Sequence, residues 1–282
     1  MKILVSSFLA CLISSALLAQ FNSTEPSLSP DGKTLAFCSD RVANNALFLY
    51  DLSSGTTSKL VELTTYESSP SWSKEGGKII FYAMEKDGGS EMYTVGVSNK
   101  ELVNLTNGKY PSIGGPVWIE DKVLFSEGSY PTSNIYSMQN LELTGRTQLT
   151  DTVGLNYGPD LFEDELVYCV FSRTIKGLHL KNLKSNKTVR ITETGERPSF
   201  SPDGSMIAFQ KRVDGVSQIM VYDRKKEEEI QLTNCSDHCE LPEWSIDGKN
   251  VYYQAKSDGY FQILKMDSNG KNQQMIIGNG ID

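Results

Sequence analysis

A proline returns six times along this chain at nearly constant spacing, and each time it opens the same short phrase. The phrases are Pro26-Ser-Leu-Ser, Pro70-Ser-Trp-Ser, Pro116-Val-Trp-Ile, Pro159-Asp-Leu-Phe, Pro198-Ser-Phe-Ser and Pro242-Glu-Trp-Ser. Successive members lie 44, 46, 43, 39 and 44 residues apart. A period of roughly 40–50 residues in a strand-rich chain marks a propeller or a solenoid array.

Aligned on these prolines, every repeat shows four short apolar runs. The proline phrase is the first. A turn follows it, explicit in Ser29-Pro-Asp-Gly32, Ser201-Pro-Asp-Gly204 and Ser245-Ile-Asp-Gly248. Asp-Gly accepts the positive φ of a tight hairpin, so the next run should return antiparallel. Repeats three and four use Glu120-Asp121 and Glu163-Asp164 instead. The second run holds Phe37, Phe81, Phe125, Tyr168, Phe209 and Tyr253 among β-branched neighbours, as half-buried strands prefer. The third runs through Phe48, Tyr93, Tyr136, His179 and Met220, and the fourth carries Leu-Thr pairs such as Leu105-Thr106 and Leu232-Thr233. No segment has a sustained 3.6-residue apolar period, so almost no helix is expected. The expected fold is an all-β, six-bladed β-propeller with four antiparallel strands per blade. Its repeats run approximately over 25–67, 68–114, 115–157, 158–196, 197–240 and 241–282. Trp72, Trp118, Phe200 and Trp244 hold a fixed place in the phrase, which favours the seams between blades over the alternative of ligand-stacking aromatics.

Residues 1–19 begin with one lysine and continue apolar or small to Ala19, the pattern of a cleaved secretory signal peptide. The mature chain would be 20–282, periplasmic or secreted, with no later segment apolar enough to span a bilayer. The formal net charge is −8, and loss of Lys2 makes the remainder more acidic. Nucleic acid and anionic membranes are therefore poor partners. Of the cysteines beyond the leader, Cys38 and Cys169 fall at one strand position in repeats one and four. Those repeats face each other across a six-fold ring, too far apart to bridge. Cys235 and Cys239 could close a small surface loop.

At Pro198-Ser-Phe-Ser-Pro-Asp-Gly-x-x-Ile-Ala-Phe209 the chain resembles the repeat of TolB-type β-propellers, and the resemblance recurs over the whole mature chain. The same repeat is found in propellers of prolyl oligopeptidases and in oligogalacturonate lyases. TolB itself carries an N-terminal α/β domain for which this sequence leaves no room, so the chain resembles a stand-alone propeller. The resemblance implies a protein or peptide partner, with a peptidoglycan-associated lipoprotein as one candidate.

Candidate site residues lie where the loops between repeats differ most: Glu67, Tyr110, Tyr157, Glu196, Arg197, His238 and Glu240. A rigid ring presenting variable loops at its channel end is a natural binding device. No Gly-x-Ser-x-Gly elbow occurs. His179 stands where other repeats place aromatic strand residues, and Cys235-x-x-His238-Cys239 lacks a second cluster to complete four metal ligands. No catalytic residue, metal or cofactor is assigned. The expected function is non-enzymatic binding. The alternative is a carbohydrate-active or other hydrolase or lyase using channel-mouth carboxylates such as Glu67 and Glu240.

Overall fold

A computed structural model describes residues 20–42, 44–84, 89–109, 113–278 and 280. The expected leader 1–19 and Tyr110 lie outside these residues. The first repeat supplies β1 (Ser23–Leu28), β2 (Thr34–Ser39), β3 (Ala46–Asp51) and β4 (Thr57–Val61). The second supplies β5 (Tyr66–Trp72), β6 (Lys78–Met84), β7 (Ser90–Gly96) and β8 (Leu102–Asn104). The third follows with β9 (Ile113–Ile119), β10 (Lys122–Ser129), β11 (Thr132–Gln139) and β12 (Thr147–Gln148). Repeat four gives β13 (Leu155–Phe162), β14 (Glu165–Phe171), β15 (Lys176–Asn182) and β16 (Lys187–Arg190). Repeat five gives β17 (Glu196–Phe200), β18 (Met206–Val213), β19 (Val216–Asp223) and β20 (Glu228–Gln231). The last is β21 (Cys239–Trp244), β22 (Asn250–Ser257), β23 (Tyr260–Asp267) and β24 (Gln274–Ile277). Among the described residues the helical content is one 3₁₀ turn, Leu143–Gly145.

Repeats one, two, five and six each form a separate four-stranded antiparallel sheet. Repeats three and four share one eight-stranded sheet, which corrects the expectation of six separate blades. The link is a single parallel rung between Ser133 and Leu155. Gly154, at φ +118, turns the chain tightly beside β11, where a Cβ would meet the Phe171 carbonyl at 2.7 Å. Ser133 Oγ then donates to the Asn156 carbonyl at 3.0 Å, and Asn156 Nδ2 donates to the Ser133 carbonyl at 2.7 Å. These bonds stitch two neighbouring units together.

The turn chemistry read from the sequence closes β1 onto β2. Gly32 N–H donates to the Ser29 carbonyl at 2.8 Å, with Gly32 at φ +70. Ser29 Oγ donates to Asp31 at 2.6 Å and accepts the Thr34 N–H at 2.9 Å. The Ser245–Asp247 turn repeats this arrangement. The Leu-Thr pairs also have a mechanical reason. Thr106, Thr150, Thr192 and Thr233 each accept a third-strand N–H, from Met92, Ile135, Leu178 and Ile219, at 2.9–3.0 Å.

The core lies between blades rather than within them. Ala36 and Leu47 of repeat one pack on Trp72, Ile79 and Phe81 of repeat two, and Leu124 and Ile135 of repeat three on Leu166 and Tyr168 of repeat four. The second-strand aromatics, Phe37 through Tyr253, are fully buried, each contributing about 1.5–3 kcal/mol by removal from water. Four of them meet a third-strand ring at 5.6–6.0 Å between centroids. His179 is one of those rings, set against Tyr168, so it is a packing residue. Among the described residues the first and last repeats meet without exchanging a strand. Leu35 and Phe37 pack on Tyr252, Ile263 and Ile277, while Asn22 Oδ1 accepts the Phe261 N–H at 3.0 Å.

Candidate functional site

Every inner strand carries the same irregularity. The register with its neighbour slips at the proline phrase in all six repeats. Proline disfavours the right-handed helical conformation in the residue before it. Here that residue is left-handed at every repeat: Glu25, Ser69, Gly115, Gly158, Arg197 and Leu241, with φ between 51 and 58. A non-glycine residue held this way costs about 1–2 kcal/mol. The result is a ring of six bulges facing a central cavity of about 530 Å³.

Four of the freed N–H groups are caught by the neighbouring repeat. Glu25 N–H donates to Gln254 Oε1 and Leu241 N–H to Gln210 Oε1, both at 3.0 Å. Ser69 N–H donates to the Glu25 carboxylate, which also accepts the Ser68 hydroxyl at 2.7 Å and the Cys38 thiol at 3.6 Å. Arg197 N–H donates to the Cys169 thiol. Cys38 and Cys169 are free and buried, at the strand position from which these bonds are made. Burial pushes the Cys169 thiol up to about 12, so it stays protonated.

The residue after five of the six prolines serves the seams. Trp72 Nε1 donates to the Ser27 carbonyl at 3.0 Å, and Trp244 Nε1 to the Ser199 carbonyl at 3.1 Å. Ser71 Oγ accepts the Trp118 N–H at 2.8 Å. Asp160 accepts the Phe200 N–H at 2.6 Å, and Glu243 accepts the Leu28 N–H. The aromatics of the phrase are thus bonded into the seams as the sequence suggested, while their edges also line the cavity. Asp160 and Glu243 were not among the expected site residues. Burial pushes Asp160 up to about 6 against the opposing pull of two backbone N–H groups. Burial, aided by the charge of Asp160, pushes Glu243 up to about 8. The available signal was that carboxylates stand where three other repeats have serine.

Of the expected residues that the structure describes, Arg197 alone lines this cavity. The cavity extends towards the turns after the inner strands, reaching Pro30, Lys74, Glu120, Pro202 and Ile246. The variable loops lie at the opposite ends of those strands, so among the described residues the expected site and the cavity meet at Arg197. Glu67 is fully buried and accepts the Leu63 N–H at 2.8 Å. Burial raises its pKa. Through that bond it braces its own loop, away from solvent. Tyr157 and Glu196 accompany Arg197. The Tyr157 hydroxyl is raised chiefly by burial, next by Cys169 and Glu196, with Arg197 opposing. His238 and Glu240 form a second group. His238 Nδ1 accepts the Ser217 N–H at 3.2 Å and lies 3.9 Å from Glu240 Oε1, and Glu240 Oε2 accepts from Gln254 at 3.2 Å. The Cys235–Cys239 disulfide closes the loop that carries His238. Among the described residues no set of three or more His, Cys, Asp and Glu side chains is arranged to hold a metal ion. Nor is any helix there long and apolar enough to cross a membrane.

The family model of the TolB beta propeller domain matches residues 12–162 and 156–281. The chain belongs to the TolB beta propeller domain family. A "Protein TolB homolog" from Protochlamydia amoebophila is 40% identical over 57 residues, 20% of this chain and 12% of that protein. The "Uncharacterized peptidase YuxL" of Bacillus subtilis is 29% identical over 188 residues, 66% of this chain and 21% of that one. This TolB-type chain therefore spans only a small part of the curated relatives it matches. A putative TolB from Agrobacterium tumefaciens shares its fold at a TM-score of 0.70 and 15% identity, over 82% of this chain and 88% of that one.

Proposed function

We propose that this chain is an exported, non-enzymatic propeller that binds a protein or peptide partner through its central channel. In this reading the eight-stranded sheet counts as two blades joined at one rung, so six units surround the channel. The observation that carries the reading is the ring of six left-handed positions. The backbone repeats around it while the side chains do not. A constant frame with varied side chains at the cavity suits recognition of an asymmetric ligand. The polar groups nearby are mostly committed to the seams, which leaves few for chemistry. By likeness to TolB, a peptidoglycan-associated lipoprotein is the candidate partner. Immobilised full-length chain should retain one envelope protein, identified by mass spectrometry. That protein should be lost when Tyr157 and Arg197 are both replaced by alanine. Equal retention by the variant would exclude the channel as the binding site.

One observation favours a second reading as a hydrolase. Asp160 and Glu243 are carboxyls of unlike proton affinity within a single cavity, the kind of pair that acid–base chemistry uses. Turnover of a glycan or peptide by the wild type, lost in both Asp160→Asn and Glu243→Gln, would establish it.

A further inference from the structure

Arg197 is the cation of the cavity that the fold leaves unmatched. Lys74, the other cation on the lining, is paired with Glu120. The carboxylates of the lining are engaged as well. Glu25 is held by Ser68 and Ser69, Asp160 by Phe200 N–H and Glu243 by Leu28 N–H. Among the described residues the Arg197 guanidinium has no hydrogen-bond or ion-pair partner, although its backbone N–H is bonded to Cys169.

The neighbouring glycines account for where this side chain goes. A Cβ on Gly158 would lie 3.7 Å from Arg197 Cα and 3.8 Å from its Cδ, and one on Gly115 would lie 3.9 Å from its Nη1. The side chain therefore runs along the ring from repeat five, past repeat four, to repeat three, in space that two glycines leave open. Its charge also reaches the Tyr82 hydroxyl in repeat two and Tyr157 in repeat four, where it works against burial. An arginine placed in this way offers its planar N–H fork to the channel.

We propose that Arg197 binds a carboxylate of an extended peptide that enters the channel. A guanidinium takes a carboxylate through two parallel hydrogen bonds, stronger than neutral ones and specific in direction. A cavity of about 530 Å³ falls in the range of small-ligand sites. The lining favours a peptide over a sugar acid. The six phrase prolines and the indoles of Trp72, Trp118 and Trp244 make an apolar wall. The Ser27 and Ser199 carbonyls and Ser71 Oγ are already bonded, so little remains for a hydroxyl-rich ligand. The inference rests on the peptide-binding reading and adds the chemistry of the ligand. The carboxylate can come from a C-terminus or from an acidic side chain.

Fluorescence anisotropy with the full-length chain and three labelled random-hexapeptide pools tests this. One pool has free C-termini and no Asp or Glu, one is the same pool amidated, and one is amidated with a fixed internal Glu. The expected result is at least tenfold tighter binding of one or both carboxylate-bearing pools than of the neutral one. Which pool binds identifies the source. Arg197→Gln should reduce carboxylate binding to the level of the neutral pool, and Arg197→Lys should fall between, with both variants melting as the wild type does. Equal binding of all pools overturns the role of Arg197 while leaving peptide binding intact, as does a preference that survives Arg197→Gln. Binding of none of them overturns both, and so does binding of trigalacturonate in their place. If both variants unfold, the competing effect of free propionate on peptide binding to the wild type decides. Competition supports a carboxylate site, and its absence refutes one.

Discussion

Glu243 carries a carboxyl that the folded chain prefers to keep protonated. Its pKa rises from 4.5 in the free side chain to about 8, through burial first and the Asp160 charge second. Between those values the folded state holds a proton that the unfolded state has released. Stability therefore falls as pH rises through that window, and no penalty applies below it. The wild type should melt higher at about pH 5.5 than at about pH 8.5, by about 1–2 kcal/mol after allowance for water in the cavity. Glu243→Gln should flatten that dependence, which calorimetric melts at the two pH values would show. An unchanged slope in the variant would mean the carboxyl ionises freely. Residue-level assignments were the hardest to read from sequence. Divergence between repeats marked Glu67 and Arg197 alike, yet it carries no information on which way a side chain points. Glu67 turns into its own loop and Arg197 turns into the cavity.

At the scale of strands and turns the sequence was far more legible. Alternation, Asp-Gly turns and the Leu-Thr pairs placed the strands because each signal acts within a few residues. Two features escaped it because each depends on contact between repeats. Four of the six bulges are tied by a pre-proline N–H caught by a neighbouring repeat, and the Ser133–Leu155 rung is made by an approach of two units. The seam tryptophans allow a direct test of such contacts. Trp72 is 7% exposed, and its indole N–H satisfies the Ser27 carbonyl. Trp72→Phe keeps the packing but orphans that carbonyl, which should cost about 1–3 kcal/mol. Trp72→Ala also opens a cavity, and the loss should reach about 3–5 kcal/mol. Urea titrations followed by circular dichroism would rank the two. A Trp72→Phe variant as stable as the wild type would indicate that the hydrogen bond contributes nothing.

The whole molecule is a ring of neighbour contacts in which the joint between the last and first repeats matches the others in kind. Apolar side chains meet there as at other seams, and Gln254 captures the Glu25 N–H as Gln210 captures that of Leu241. The position of the chain ends should then matter little. A circular permutant of residues 20–282 that connects its two ends through a flexible glycine-serine linker and opens the exposed turn between Ser185 and Asn186 should unfold in a single calorimetric transition. Two transitions would show the natural joint to be weaker than the rest. The left-handed residue before each proline has a consequence at this scale too. Apart from Glu25, whose carboxylate holds Ser68 and Ser69, the frame asks for a backbone angle there rather than a particular side chain, so the other five positions behave like interchangeable keys on one fixed barrel. Asparagine and glycine tolerate that angle best. A designer could rewrite what the channel admits one repeat at a time without redrawing the ring.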